Sequence, residues 1–307
     1  MGISSDIFCT DTQNALPPPL KMSFVEAEAR AAEDAHCVTQ EVNPAMCSRL
    51  FSHGRQTPLS VLFLHGLTNA PAQFFQLAEK VHAAGHNAFI PRMPYHGYRD
   101  RCTDAISRLT LGECATWVGD ALDTAAALGE RLVVAGLSVN GVTAAWIAMR
   151  RPDVARTVLL APLFAPVHVP LALAGVLGSV FAALPNFSVW WDFTLREKMP
   201  LLEYAYPKFQ TRAVGRFLRL GSKVFAAAKK HIPACKDIAL IGTEADTTIN
   251  IRVAKRFAAM LARWSDVKVR QTWFPKAENI HHDFVDPNQT WQRTDFTDPV
   301  ILKALLD

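Results

Sequence analysis

Residues 133–141 read Val133-Val134-Ala135-Gly136-Leu137-Ser138-Val139-Asn140-Gly141, an apolar run that breaks into small residues around one serine. The β-branched start predicts a strand buried on both faces, and the periodicity of Val142–Arg150 predicts a helix directly after it. A serine on so sharp a strand-to-helix turn is held in a strained conformation that exposes its hydroxyl, and the neighbours two positions away must be small. Gly136 meets that demand. Asn140 is larger than the residues ordinarily tolerated there, a conflict softened by asparagine's readiness for positive φ and by Gly141. The competing reading is a serine that caps the helix at an ordinary junction. This stretch alone leaves both open.

Upstream, Val61-Leu62-Phe63-Leu64-His65-Gly66-Leu67-Thr68 is an apolar strand ending in His-Gly. With this pair of motifs the sequence resembles the α/β-hydrolase superfamily, specifically bacterial serine carboxylesterases and monoacylglycerol-lipase-like enzymes with an H-G-[FLY]-T loop. The resemblance implies an oxyanion hole made by the backbone N–H groups of Leu67 and Val139. Preorganised donors of this kind are worth roughly 10²–10³ in rate each. The plainer alternative for His65-Gly66 is a turn with a polar exit. Ile90-Pro91-Arg92-Met93-Pro94-Tyr95-His96-Gly97 resembles a further loop of the family, and it supports the fold more than any catalytic role for His96.

A serine nucleophile needs a base, and the base needs an orienting carboxylate. Ile238-Ala239-Leu240-Ile241 reads as a buried strand, followed by Gly242-Thr243-Glu244-Ala245-Asp246. The family pattern favours Asp246 over Glu244; a helix cap made by Asp246 is the competing reading. After the last strand comes Ile280-His281-His282-Asp283-Phe284-Val285-Asp286-Pro287. The family's histidine loop aligns with His282, with His281 a competitor one residue away. Ser138, Asp246, His282 is the chain order of the hydrolase fold.

The rest of the 307-residue chain alternates strand and helix, which predicts a mostly parallel α/β sheet with helices on both faces. Strands are expected at 60–64, 87–90, 131–135, 157–160, 238–241 and 267–274, and helices at 72–84, 111–128, 142–150 and 249–264, with Gly85 and Gly129 as stops. Residues 1–58 form an extension with one helix, 24–37, started by Ser23 and Glu26, and the first strand or strands. The hydrolase core spans 59–162 and 234–307, and 163–233 is a helical cap inserted beside the carboxyl ends of the strands, where open α/β sheets keep their sites. Trp190, Trp191, Phe181, Phe187 and Phe193 either line an acyl pocket or pack the cap on the body. Leu171–Leu184 either dips into a lipid surface or is a buried cap helix. Lys229-Lys230-His231 reads as a solvated helix end in preference to a binding patch.

Half the residues are hydrophobic, and 32 basic against 28 acidic side chains give a formal charge of +4. Such a chain buries a real core, and the surplus is too thin to make nucleic acid or anionic lipid the expected partner. The cysteines, at 9, 37, 47, 102, 114 and 235, form no C-x-x-C pair, so no metal or redox motif is written. The first 23 residues lack the basic start and apolar run of a secretory leader, Asp6 spoils a myristoylation signal, and no stretch is long enough to span a bilayer. The expected location is cytoplasmic; a secreted mature form, with Cys37 and Cys47 paired, is the alternative.

The expectation is therefore a serine carboxylesterase, without metal or organic cofactor, acting through an acyl-enzyme on an ester with an apolar group. A lipase, thioesterase or acyltransferase with the same triad, and a non-catalytic ligand-binding protein on this fold, are the alternatives. Natural substrate and oligomeric state are not written in the sequence.

Overall fold

The computed structural model describes residues 16–36, 41–191 and 202–307. Cys9, Cys37, Phe193, the leader and myristoylation readings and the Cys37–Cys47 pairing lie outside those residues.

The continuous apolar runs become the strands of one sheet. β1 (Arg49–Phe51), β2 (Thr57–Leu64), β3 (Asn87–Ile90), β4 (Gly129–Leu137), β5 (Val154–Leu160), β8 (Asp237–Thr243) and β9 (Lys268–Phe274) lie in the order β1-β3-β2-β4-β5-β8-β9. Only β1 pairs antiparallel; every other pair is parallel. Such a sheet must be covered on both faces. α2 (Phe75–Ala83) packs with α8 (Thr294–Leu306) on one side, and α3 (Leu111–Leu128), α4 (Val139–Arg150) and α7 (Ile251–Leu261) cover the other. In β4, Val133, Val134 and Ala135 are buried, as a central strand requires.

Local signals set the ends. α1 (Phe24–Ala35) starts at Ser23 with the reciprocal Ser23–Glu26 box, and buries Ala27 and Ala31 against the outside of α3 and β1. The helix expected from Ala72 starts as a short 3₁₀ turn, Pro71–Phe74, before α2. Gly85 adopts φ +91° after α2, as a left-handed stop should. Gly129 does not: its φ is −145° and it opens β4, and a Cβ there would stand 2.3 Å from the backbone nitrogen of Ser60. Glycine is required by strand packing, not by helix termination.

The segment between β5 and β8 is not wholly helical. It contains α5 (Leu171–Ala183), a two-stranded ribbon of β6 (Ser188–Trp190) and β7 (Lys208–Gln210), and α6 (Thr211–Lys230). α6 packs on α4, and α5 packs on α6. Among the described residues no helix is long and apolar enough to cross a membrane.

Candidate active site

Ser138 follows β4 with φ 61° and ψ −115°, a conformation L-residues adopt only when the surroundings enforce it. The enforcement is visible. Its N–H donates to Leu160 O at 2.9 Å, and its carbonyl accepts from Gly141 N at 3.0 Å and Leu163 N at 3.0 Å. A Cβ at Gly136 would sit 2.0 Å from Asn140 O, and one at Gly141 would sit 2.9 Å from Leu160 O. The flanking glycines exist so that strand, turn and helix can cross at this distance. The Ser138 side chain makes no capping hydrogen bond to α4, which removes the plain helix-cap reading.

Asn140 differs from the expectation in one respect. It is not a positive-φ residue; it lies inside α4, fully buried. Its Nδ2 donates to His65 O at 2.6 Å, tying the turn after β4 to the loop after β2. The larger side chain is anchored by that hydrogen bond, while its Oδ1 is buried without a partner among the described residues.

That loop carries Leu67. Burial drops the His65 pKa to about 3, so the ring is neutral. Its Nε2 accepts from Met93 N at 3.1 Å, which puts the proton on Nδ1, facing Gly66 O at 2.9 Å. His96, pushed down to about 4 by burial, has its Nε2 2.6 Å from Leu67 O and its Nδ1 2.9 Å from Pro94 O. A neutral ring has one N–H to give, so it donates to one of these two carbonyls. Among the described residues neither the Leu67 nor the Val139 N–H has an acceptor.

Asp246 lies beyond β8 with its side chain out of solvent. Its Oδ1 accepts from Thr248 N at 2.7 Å and Ile249 N at 3.1 Å, while Oδ2 accepts from His282 Nδ1 at 2.7 Å. α7 is capped by Asn250, so the carboxylate is left to hold the imidazole. Burial alone would raise the Asp246 pKa, but the His282 charge and these hydrogen bonds outweigh it and bring it below the usual value. For His282 burial works against the charged ring; Asp246, with help from Asp283, overcomes it and raises the pKa. His282 Nε2 is buried and has no partner among the described residues. The two alternatives face elsewhere: Glu244 is exposed and pairs with Lys255 at 2.9 Å, and His281 is exposed with its ring 5.1 Å from that of Trp291.

Ser138, Asp246 and His282 follow β4, β8 and β9, at the carboxyl ends of parallel strands. The chain after β5 joins them: Leu163 N bonds Ser138 O, and Val167 N bonds Thr248 O at 2.9 Å. Thr243 Oγ1 donates to Ile280 O at 2.8 Å, fixing the histidine loop to the end of β8.

Sequence reasoning missed Gln73. Its buried Oε1 accepts from Gly66 N at 2.8 Å, and its Nε2 donates to Asp283 Oδ2 at 3.0 Å, so one side chain bridges the Leu67 loop and the His282 loop. No local pattern marks it, because its partners are 7 and 210 residues away. Tyr204 was missed as well. Its hydroxyl, 2.7 Å from Asp286 Oδ1, holds the inserted segment to the histidine loop. Tyr206 N donates to Thr68 O at 2.8 Å, and Trp191 Nε1 to Thr68 Oγ1 at 2.9 Å, so the same segment also grips the residue after Leu67.

Residues 61–294 match the alpha/beta hydrolase family. The chain belongs to that family. This hydrolase is 30% identical over 170 residues to a thermostable monoacylglycerol lipase of a Bacillus species, covering 53% of the chain and 62% of the relative's length. Among solved structures it is similar to a metagenome-derived lipolytic enzyme, with TM-score 0.63, 18% identity and coverage of 86% of this chain and 99% of the other. It is also similar to the monoacylglycerol lipase of Paleococcus ferrophilus, with TM-score 0.61, 16% identity and coverage of 84% and 97%. At those identities the solved structures speak for the fold.

Proposed function

We propose that this α/β-hydrolase is a serine esterase that cleaves carboxylic esters with an apolar acyl or alcohol group, in the manner of its monoacylglycerol-lipase relatives, with residues 163–233 as its cap. The observation that carries the reading is the His282–Asp246 contact at 2.7 Å, with the other imidazole nitrogen buried and unpartnered among the described residues, at the carboxyl end of the sheet, the end where Ser138 sits strained.

In this mechanism Ser138 Oγ attacks the ester carbonyl while its proton passes to His282 Nε2. Asp246 keeps the ring's other proton on Nδ1 and stabilises the imidazolium. The carbonyl oxygen becomes an alkoxide facing the Leu67 and Val139 amides. On collapse, His282 gives its proton to the leaving alcohol, and Ser138 is acylated. Water then attacks the acyl carbon, its proton going to His282 and on to Ser138 Oγ as the carboxylic acid departs. The hydrogen bonds from Asn140, His96 and Gln73 hold the loops so that the donors need not reorganise during the reaction.

The test is hydrolysis of 1-monoacylglycerols and p-nitrophenyl esters of graded chain length beside acyl-CoA thioesters. Turnover of the oxygen esters that disappears in Ser138→Ala is the expected result. Preference for the thioesters, or ester turnover that survives Ser138→Ala, would overturn the assignment.

A further inference from the structure

Positive charge is concentrated in one part of this chain. Residues 163–233 hold nine basic and three acidic side chains, a net +6 within a chain of net +4, so the rest of the molecule is slightly acidic. The same segment holds seven of the eleven exposed large hydrophobic side chains among the described residues. Val169–Trp191 contains no charged residue, and α5 within it buries only Ala174 and Gly178. Leu173, Val176, Val180 and Leu184 are 44–60% exposed, and their spacing of three and four puts them on one side of the helix. Phe187 and Trp191 extend the stripe beyond the helix end. A run this apolar was expected either to bury itself or to meet lipid, and it is not buried.

The basic residues lie along that stripe. α5 and α6 run antiparallel in close contact: a Cβ at Gly178 would stand 2.7 Å from Gly215 O, and one at Gly175 would stand 2.7 Å from Ser222 Oγ. At one end Arg212 donates to Leu184 O at 3.2 Å. Arg219, exposed, lies midway, its backbone nitrogen beside Gly178. At the other end an open groove of about 380 Å³ has Leu171, Ala172 and Val176 on one wall and Ala226 and Lys229 on the other, with exposed Lys230 next in sequence.

We infer that this face docks on an anionic phospholipid surface, with the α5 stripe entering the interface and the α6 basic row meeting the headgroups. An apolar helix face flanked by cations satisfies both terms of interfacial binding, and each basic side chain near an anionic surface is worth about fivefold in affinity. A second copy of this chain fits less well, because a symmetric contact would set the two basic rows against each other. The stripe ends at Trp191, whose indole holds Thr68 beside Leu67, so docking would set the proposed site at the lipid boundary.

The test reads binding, not turnover, and so stands or falls apart from the esterase reading. The full chain carrying Ser138→Ala is sedimented with vesicles of phosphatidylcholine alone or of phosphatidylcholine and phosphatidylglycerol at 3:1, at low salt and in 0.5 M NaCl. Expected is at least tenfold tighter binding to the anionic vesicles, reduced by salt. Lys229→Glu/Lys230→Glu and Val176→Glu/Val180→Glu should each weaken it more than tenfold with unchanged circular dichroism, while the exposed Lys303→Glu on α8 leaves it unchanged. Equal affinity for both vesicles, or none for either, would overturn the inference. So would a dimer in light scattering that Val176→Glu abolishes, or retention on soluble polyglutamate as strong as on vesicles and indifferent to Val176→Glu, which would assign the face to an acidic protein.

Discussion

The side-chain amide of Asn140 donates to the backbone carbonyl of His65 across 2.6 Å, joining the turn that carries Ser138 to the loop that carries Leu67. The two loops, which in the proposed mechanism present their amides to one oxygen atom, are thereby fixed to each other by a residue fully out of solvent. Substitution of a buried hydrogen-bonding partner costs about 1–3 kcal/mol at the group left behind. Asn140→Gly should therefore lower kcat about tenfold with little change in KM, as expected when a group acting only in the transition state is loosened. Steady-state kinetics on a p-nitrophenyl ester decide this; an unchanged or higher kcat would show that the amide merely fills space.

Gln73 links the same loop to the histidine loop through Gly66 and Asp283. Gln73→Met keeps the volume but leaves the Gly66 N–H unsatisfied and removes one of the donors to Asp283 Oδ2, which keeps those from Gln289 and Asn69. Urea unfolding should show a loss of about 1–3 kcal/mol, and kcat should fall while KM holds. A variant less stable but fully active would make Gln73 a structural link only.

The pH dependence follows from the His282 shift. Asp246 and Asp283 raise its pKa against the effect of burial, and in the proposed mechanism the ring must be neutral to take the serine proton. kcat/KM should thus rise with pH through a midpoint above the usual histidine value of about 6.5. Asp246→Asn should move that midpoint down and cut kcat by about 10³–10⁴. A midpoint indifferent to Asp246→Asn would mean that another group controls the profile.

The Asp286 pKa is shifted upward, opposite to the usual shift of an ion-paired carboxylate. Burial and the neighbouring Asp283 push its pKa up to about 7. The folded chain therefore keeps a proton that the unfolded chain releases near pH 3.9, and stability is lost as pH rises from about 4 to 7. Asp286→Asn still offers an acceptor to the Tyr204 hydroxyl but cannot ionise. The Tm of the variant minus that of the natural chain should grow across this window; a constant difference would contradict the assignment.

The fold was legible because its signals are local. The buried strands, the Ser23–Glu26 box and the small residues around Ser138 each act over a few residues, and each stands where sequence reasoning put it. The partnership of His282 with Asp246 was legible only through resemblance, since spacing alone left His281 and Glu244 open. The structure orients those two side chains into solvent contacts instead. What stayed hidden is what depends on chain-distant meetings. Gln73 and Tyr204 have no local signature, Asn140 looked like a misfit until its partner was in view, and Gly129 was assigned to the wrong constraint because Ser60 lies on another strand.

Reactivity of one hydroxyl tests the esterase reading most directly. The chain is treated with an alkyl fluorophosphonate, digested, and mapped by mass spectrometry. A single adduct on Ser138, absent in Ser138→Ala and strongly suppressed in His282→Ala, is the expected result. A folded chain that stays unmodified, or that carries its adduct on another residue, would contradict it.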